Sequence, residues 1–120
     1  MIPSLDSHKV AVIVFAMGEC PACEHYLPRF VAEVEALRAQ NYPFIVWAPG
    51  VAIPSGSIPI LIYDAASPDV DVQKLADRWK VEATPTTIVM SRGAGSFKCE
   101  GGLANNQIAW ILMMAVEANR

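Results

Sequence analysis

Charge is scarce in this 120-residue chain: Asp, Glu, Lys and Arg make up 18% of it, against 53% hydrophobic residues. That balance excludes a disordered chain, which stays unfolded because it has too little apolar surface to bury. There is no cluster of Lys or Arg and the net charge is −3, so no nucleic-acid partner is expected. Long apolar runs are missing too. The longest, Lys9–Met17 and Ile58–Tyr63, fall well short of the ~20 residues that cross a bilayer, so no membrane partner is expected. The first eight residues, Met1 to His8, lack the basic start and apolar stretch of a secretory signal. Cysteine is sparse and odd in number, three in all, which argues against a framework of structural disulfides. Together these absences lead us to expect one domain over residues 1–120, monomeric, in the reducing cytoplasm.

What is present begins with Lys9–Met17, dense in Val and Ile and ended by Gly18, which reads as a buried strand. From Pro21 to about Gln40, residues Tyr26, Leu27, Phe30, Val34 and Leu37 recur at helical steps. Proline at the first helical position costs nothing there, whereas Pro28 inside the helix should kink it. Phe44–Ala48 reads as a second strand, Pro49–Pro59 as a loop and Ile60–Tyr63 as a third strand. Asp69–Lys80 reads as a short helix. Thr86–Met90 and Ser96–Glu100 form a predicted hairpin, and Ala104–Ala118 a closing helix. A strand–helix–strand unit implies parallel pairing and the hairpin antiparallel pairing. The expected architecture is therefore α/β, a mixed central sheet with helices on both faces.

Chemistry is concentrated at Cys20-Pro21-Ala22-Cys23, between the first strand and the first helix. Two thiols at this spacing make a redox pair in which one sulfur attacks and the other resolves. Cys20 caps the helix and faces the free amides of its first turn, whose partial positive charge favours thiolate. Such positions lower a thiol pKa from about 8.5 into the range of roughly 3.5–7.5. Pro21 removes one of those amides and sets the turn, and Ala22 leaves the surface open to an approaching protein thiol. The Glu19 carboxylate opposes thiolate formation at its neighbour. Cys23, one turn deeper, is assigned the resolving role. His25 reads as a surface or packing residue, and Cys99 as a small buried apolar one. Trp47, Trp79 and Trp110, with Met90, Met113 and Met114, read as core; Asp64 reads as a turn residue and Asp69, Asp71 and Asp77 as a solvated helix face.

The CPAC motif after the first strand and Ala83-Thr84-Pro85-Thr86 before a later one make the chain resemble the thioredoxin superfamily over residues 9 to 117. Pro28, five residues past Cys23, matches that family's helix-kinking proline, and Gly101-Gly102 its glycine before the last helix. The resemblance implies a thioredoxin-like three-layer α/β/α sandwich. It also implies a cis peptide before Pro85 that turns Thr84 toward Cys20, so that Thr84 presents its N–H and C=O to an extended substrate. The substrate-binding set is then Thr84, Pro85, Pro21 and Ala22. The chain departs from thioredoxins at Glu19, where they carry tryptophan, and at Val14, where they carry a buried acid. It also lacks their first strand and helix. Proline after the first cysteine and the short start are more glutaredoxin-like. The 49–59 segment matches neither subfamily.

The leading expectation is a thiol–disulfide oxidoreductase acting on protein disulfides through Cys20 and Cys23, with no bound cofactor and a reductase or glutathione as electron donor. The alternatives are a glutaredoxin-type, glutathione-dependent reductase and a thioredoxin-like scaffold or binding module. A metal site completed by Cys99 or His25 lacks a second ligand pair and is not expected.

Overall fold

The computed structural model describes Pro3, Leu5 and residues 8–93 and 95–120. Ala94, in the predicted hairpin turn, and the rest of the first seven residues lie outside the described set. Five strands and three helices follow in the order β1 (Val10–Ala16), α1 (Pro21–Ala39), β2 (Phe44–Val46), β3 (Ile58–Asp64), α2 (Val70–Arg78), β4 (Thr86–Ser91), β5 (Phe97–Glu100) and α3 (Asn105–Glu117).

β1 is the spine. Its run of β-branched side chains suits a strand covered on both faces, and all seven of its residues are buried. It pairs in parallel with β3 (Val12 opposite Ile60, Ala16 opposite Asp64) and antiparallel with β4 (Val10 opposite Ser91, Phe15 opposite Thr86). The mixed sheet runs β2-β3-β1-β4-β5. Alternation along β1 divides the core. Val10, Val12 and Val14 face α1 and α3, meeting Tyr26, Phe30, Val34, Ile108 and Leu112. Ile13 and Phe15 face α2, meeting Val72, Leu75 and Ala76. The result is the expected three-layer sandwich, and its sheet and helices give the thioredoxin fold.

Local chemistry sets the element ends. Cys20 caps α1, and Asp69 caps α2 by accepting from the Asp71 amide at 2.8 Å. Asp69 is thus a cap and not part of the solvated face assigned to it from sequence, whereas Asp64 accepts from the Ala66 amide as a turn residue should. Just past the Gln40 cap of α1, Asn41 has a φ of 70°, a left-handed conformation that Asn tolerates. α1 runs through Pro28, which is exposed. The Glu24 carbonyl that loses its amide partner there is on a solvent-facing residue.

Two expectations are corrected. The 49–59 loop ends earlier than predicted, because β3 starts at Ile58 and includes Pro59. Ile58 donates to Pro43 and Ile60 accepts from Trp47, both toward β2, so the ring nitrogen of Pro59 points toward β1. Pairing with β1 begins only at Ile60, so no ladder bond is lost. Residues 47–57 then carry the chain back from the end of β2 to the start of its parallel neighbour. Ile58, at its start, is buried. Finally, Trp110 and Met114 lie outside the core, 62% and 47% exposed on the outer side of α3.

Replacing fully buried Phe30 by alanine should cost about 3–5 kcal/mol of unfolding free energy in a denaturant titration. Trp110→Ala should change it by less than about 0.5 kcal/mol. Equal effects would contradict this placement of α1 and α3.

Candidate functional site

β1 and β3 end at the pole where antiparallel β4 begins. The chain leaves β1 at Ala16, crosses Met17 and Gly18, and reaches Glu19 at a left-handed φ of 54°. That turn delivers Cys20 to the first position of α1 in an extended conformation, φ −115°, ψ 99°. The Sγ of Cys20 accepts from the Cys23 backbone amide at 3.2 Å, so a free first-turn amide does address the sulfur. Cys20 is half-buried while Cys23 is 2% exposed, and the two sulfurs are joined as a disulfide with Cα atoms 5.2 Å apart. Pro21 and Ala22 are exposed beside them.

The residues predicted around Pro85 lie here as well. The Thr84–Pro85 peptide is cis. The Cys20 sulfur is 3.7 Å from the Thr84 carbonyl oxygen and 3.6 Å from its hydroxyl. Ladder pairing of β4 starts at Thr86, so the Thr84 backbone stands outside the sheet's own hydrogen bonds. Cys20, Cys23, Thr84, Pro85, Pro21 and Ala22 therefore surround one point. His25 is exposed on α1. Cys99 is free and half-buried, and burial pushes its thiol pKa up. Among the described residues, no group of three or more His, Cys, Asp or Glu side chains is arranged to hold a metal ion, and no helix is long and apolar enough to cross a membrane.

Three supports were not visible in the sequence. Tyr26, one turn after Cys23, is buried, and its hydroxyl pairs with Thr87 Oγ1 at 2.8 Å. Thr87 lies between Val14 on β1 and Cys99 on β5. A hydroxyl pair thus supplies the polar contact on a surface that Val14 and Ile62 make apolar, and burial pushes the Tyr26 pKa up. A buried tyrosine on an apolar stripe signals that its hydroxyl needs a partner, but not which one. The Gly101 amide donates to the Pro85 carbonyl at 2.8 Å, fastening the end of β5 to the cis-proline loop; its φ of 83° requires a residue free of a Cβ penalty. Arg29 donates to the Leu103 carbonyl and to Asn105 Oδ1, tying α1 to the turn before α3.

A cavity of 540 Å³ is lined by Val10, Ile58 and Val116, where β1 and β3 begin. That is the opposite end of a strand roughly 20 Å long, so it takes no part in chemistry at Cys20.

Solved structures share this architecture. It is a thioredoxin fold. The chain superposes on chloroplastic thioredoxin z with a TM-score of 0.58 at 17% identity, covering 91% of this chain and 80% of that one. Over 94% of its length it matches 46% of the J-Trx1 fragment of ERdj5, with a TM-score of 0.63 at 14% identity. It also matches the germline-specific thioredoxin protein Deadhead of Drosophila melanogaster, TM-score 0.53 and 19% identity over 90% of this chain and 82% of that one. No protein-family model matches the sequence, and no curated protein matches it. The thioredoxin fold here carries CxxC-spaced cysteines at the start of its first helix.

Two tyrosines should respond in opposite ways. Tyr26→Phe leaves the Thr87 hydroxyl buried without its partner and should cost about 1–3 kcal/mol. Tyr63, whose hydroxyl is buried with no partner and whose pKa is pushed up to about 12 by that burial, should lose nothing or gain stability as phenylalanine. Denaturant unfolding at pH 7 reads both, and a stability loss for Tyr63→Phe as large as that for Tyr26→Phe would contradict the assignment.

Proposed function

We propose that the protein is a thiol–disulfide oxidoreductase that reduces protein disulfides through Cys20 and Cys23. The observation that carries this reading is the half-buried Cys20 sulfur at the tip of α1, 3.7 Å from the Thr84 carbonyl, with Cys23 buried behind it. In the reduced protein, the Cys20 thiolate attacks one sulfur of a substrate disulfide. The substrate disulfide breaks, its second sulfur leaves as a thiolate that takes a proton from water, and a Cys20–substrate disulfide forms. Cys23 then gives up its proton and attacks the Cys20 sulfur. The remaining substrate thiol is released, and the protein is left with the Cys20–Cys23 disulfide. Two electrons pass to the substrate, and an external donor restores the pair: the dithiol of a reductase, which is left as a disulfide, or two glutathione molecules, which leave as glutathione disulfide.

Thr84, Pro85, Pro21 and Ala22 form the surface that receives the substrate. The Thr84 backbone, outside the sheet's own ladder, offers an extended chain one short antiparallel contact next to the nucleophile. With Val14 in place of a buried acid, the proton of Cys23 has no carboxylate on β1 to receive it, so release of the mixed disulfide is expected to depend on water. A reducing compartment suits this direction of electron flow.

A glutathione-dependent reading keeps one point in its favour, the proline directly after Cys20. Against it stand exposed Glu19 and Glu24, which repel an anionic tripeptide. Turnover with glutathione plus glutathione reductase, compared with thioredoxin reductase, separates the two.

Cys23→Ser should accumulate a Cys20-linked mixed disulfide with substrate protein, visible as a mass adduct that dithiothreitol releases. Cys20→Ser should lose disulfide-reductase activity by at least about a thousand-fold, as removal of a nucleophile does. Full disulfide-reductase activity of Cys20→Ser would contradict this mechanism.

A further inference from the structure

Beside the redox pair, where α1 overhangs the ends of β1 and β3, lies an open cleft of 230 Å³. Met17, Leu27 and Ile62 line it, with Asp64 also on its wall. Strand alternation explains its character. Ala16 and Ile62 continue the face of Val14 and Ile60 that packs on the helices, but here the helix has begun and the core has run out. Met17 is 43% exposed and stands three residues before Cys20. The volume is below the roughly 300–1,000 Å³ of pockets that enclose a small molecule, and it suits one side chain of a larger partner.

The rim is acidic. Asp64 stands on the cleft wall and Glu19 follows Gly18, another lining residue; both are exposed, and among the described residues neither is in an ion pair. Two cations of the fold are engaged elsewhere: Arg29 with Leu103 and Asn105, and Lys98 with Glu100 and the Lys80 carbonyl. Position adds a register. The cleft lies on the β3 side of β1 and Thr84 on the β4 side. Neighbouring strands are ~4.8 Å apart, so about 10 Å separates the two, the reach of two or three extended residues at ~3.3 Å each.

We propose that this cleft receives an aliphatic side chain two or three residues from the reducible cysteine of a polypeptide, and that lysine or arginine beside that cysteine is drawn to the acidic rim. The proposal deepens the oxidoreductase reading and rests on it for turnover, though not for binding. Unpaired rim carboxylates raise the local concentration of a cationic chain and repel an anionic one. The apolar floor then fixes its register.

The test uses synthetic peptides whose single cysteine is in disulfide linkage with 2-mercaptoethanol. Each carries leucine or serine two residues away and lysines, serines or glutamates around it. The uncharged disulfide of 2-mercaptoethanol serves as a control. At low salt, kcat/KM for the lysine–leucine peptide should exceed that for the glutamate–leucine peptide by about ten-fold, the lower end of what electrostatic steering supplies. Raising the salt to about 300 mM should shrink that gap. Asp64→Asn should shrink it further, and Met17→Gln should remove the preference for leucine over serine without touching the charge preference. If the control is reduced but all peptides react alike, the cleft proposal is overturned and the redox reading stands. If no disulfide is reduced, the redox reading fails, and methyl NMR of the Met17 side chain in a Cys20→Ser/Cys23→Ser protein decides the proposal: shifts with the lysine–leucine peptide alone support it, and shifts with neither or with both equally overturn it.

Discussion

The hydrogen bonding of β1 on both edges is the constraint on which the rest depends. Parallel pairing to β3 and antiparallel pairing to β4 bring two strand ends and one strand start to the same pole. A chain leaving β1 there must turn at once into α1, and the residue at that turn is Cys20. The same pairing places the residue before β4's cis proline alongside it. The cysteine pair and its backbone neighbour Thr84, which lies 64 positions from Cys20 in sequence, are therefore brought together by the strand ladder.

Packing holds that pole with few polar links. α1 is seated by Tyr26, Phe30, Val34 and Leu37 on the valine face of β1, which fixes its axis. The polar ties then fix its rotation and its surroundings: Tyr26 to Thr87, Arg29 to the turn before α3, and Gly101 to Pro85. None touches a reacting sulfur. They hold the helix start and the proline loop at a constant separation, as the proposed thiol exchange requires because the attacking and leaving sulfurs must line up.

Much of this could be read from the residues alone, and the failures have physical causes. β1 and α1 were legible because Val–Ile density and four-residue spacing each have one structural meaning. The paired cysteines were legible because the spacing dictates their placement on a helix start. The start of β3 was missed because proline argues against a strand, and only the register shows that its ring nitrogen faces a place where no bond is due. Trp110 was misplaced because α3 is apolar on almost every side, so periodicity could not tell its inner face from its outer one. Asp69 was misread because a cap and an exposed acid look alike without the turn that follows Pro68. The partners of Tyr26, Gly101 and Arg29 depend on long-range register, which no local pattern encodes.

The central claim is that half-buried Cys20 is a helix-activated nucleophile with Cys23 shielded behind it. The most direct test is to reduce the protein, alkylate it with limiting iodoacetamide between pH 5 and 9, and locate the label by mass spectrometry. The account predicts that Cys20 is modified first, with a rate that rises through a pKa below the ordinary thiol value of about 8.5, while Cys23 and Cys99 stay largely free. Labelling of Cys23 or Cys99 ahead of Cys20, or a Cys20 rate that climbs only above pH 8.5, would contradict it.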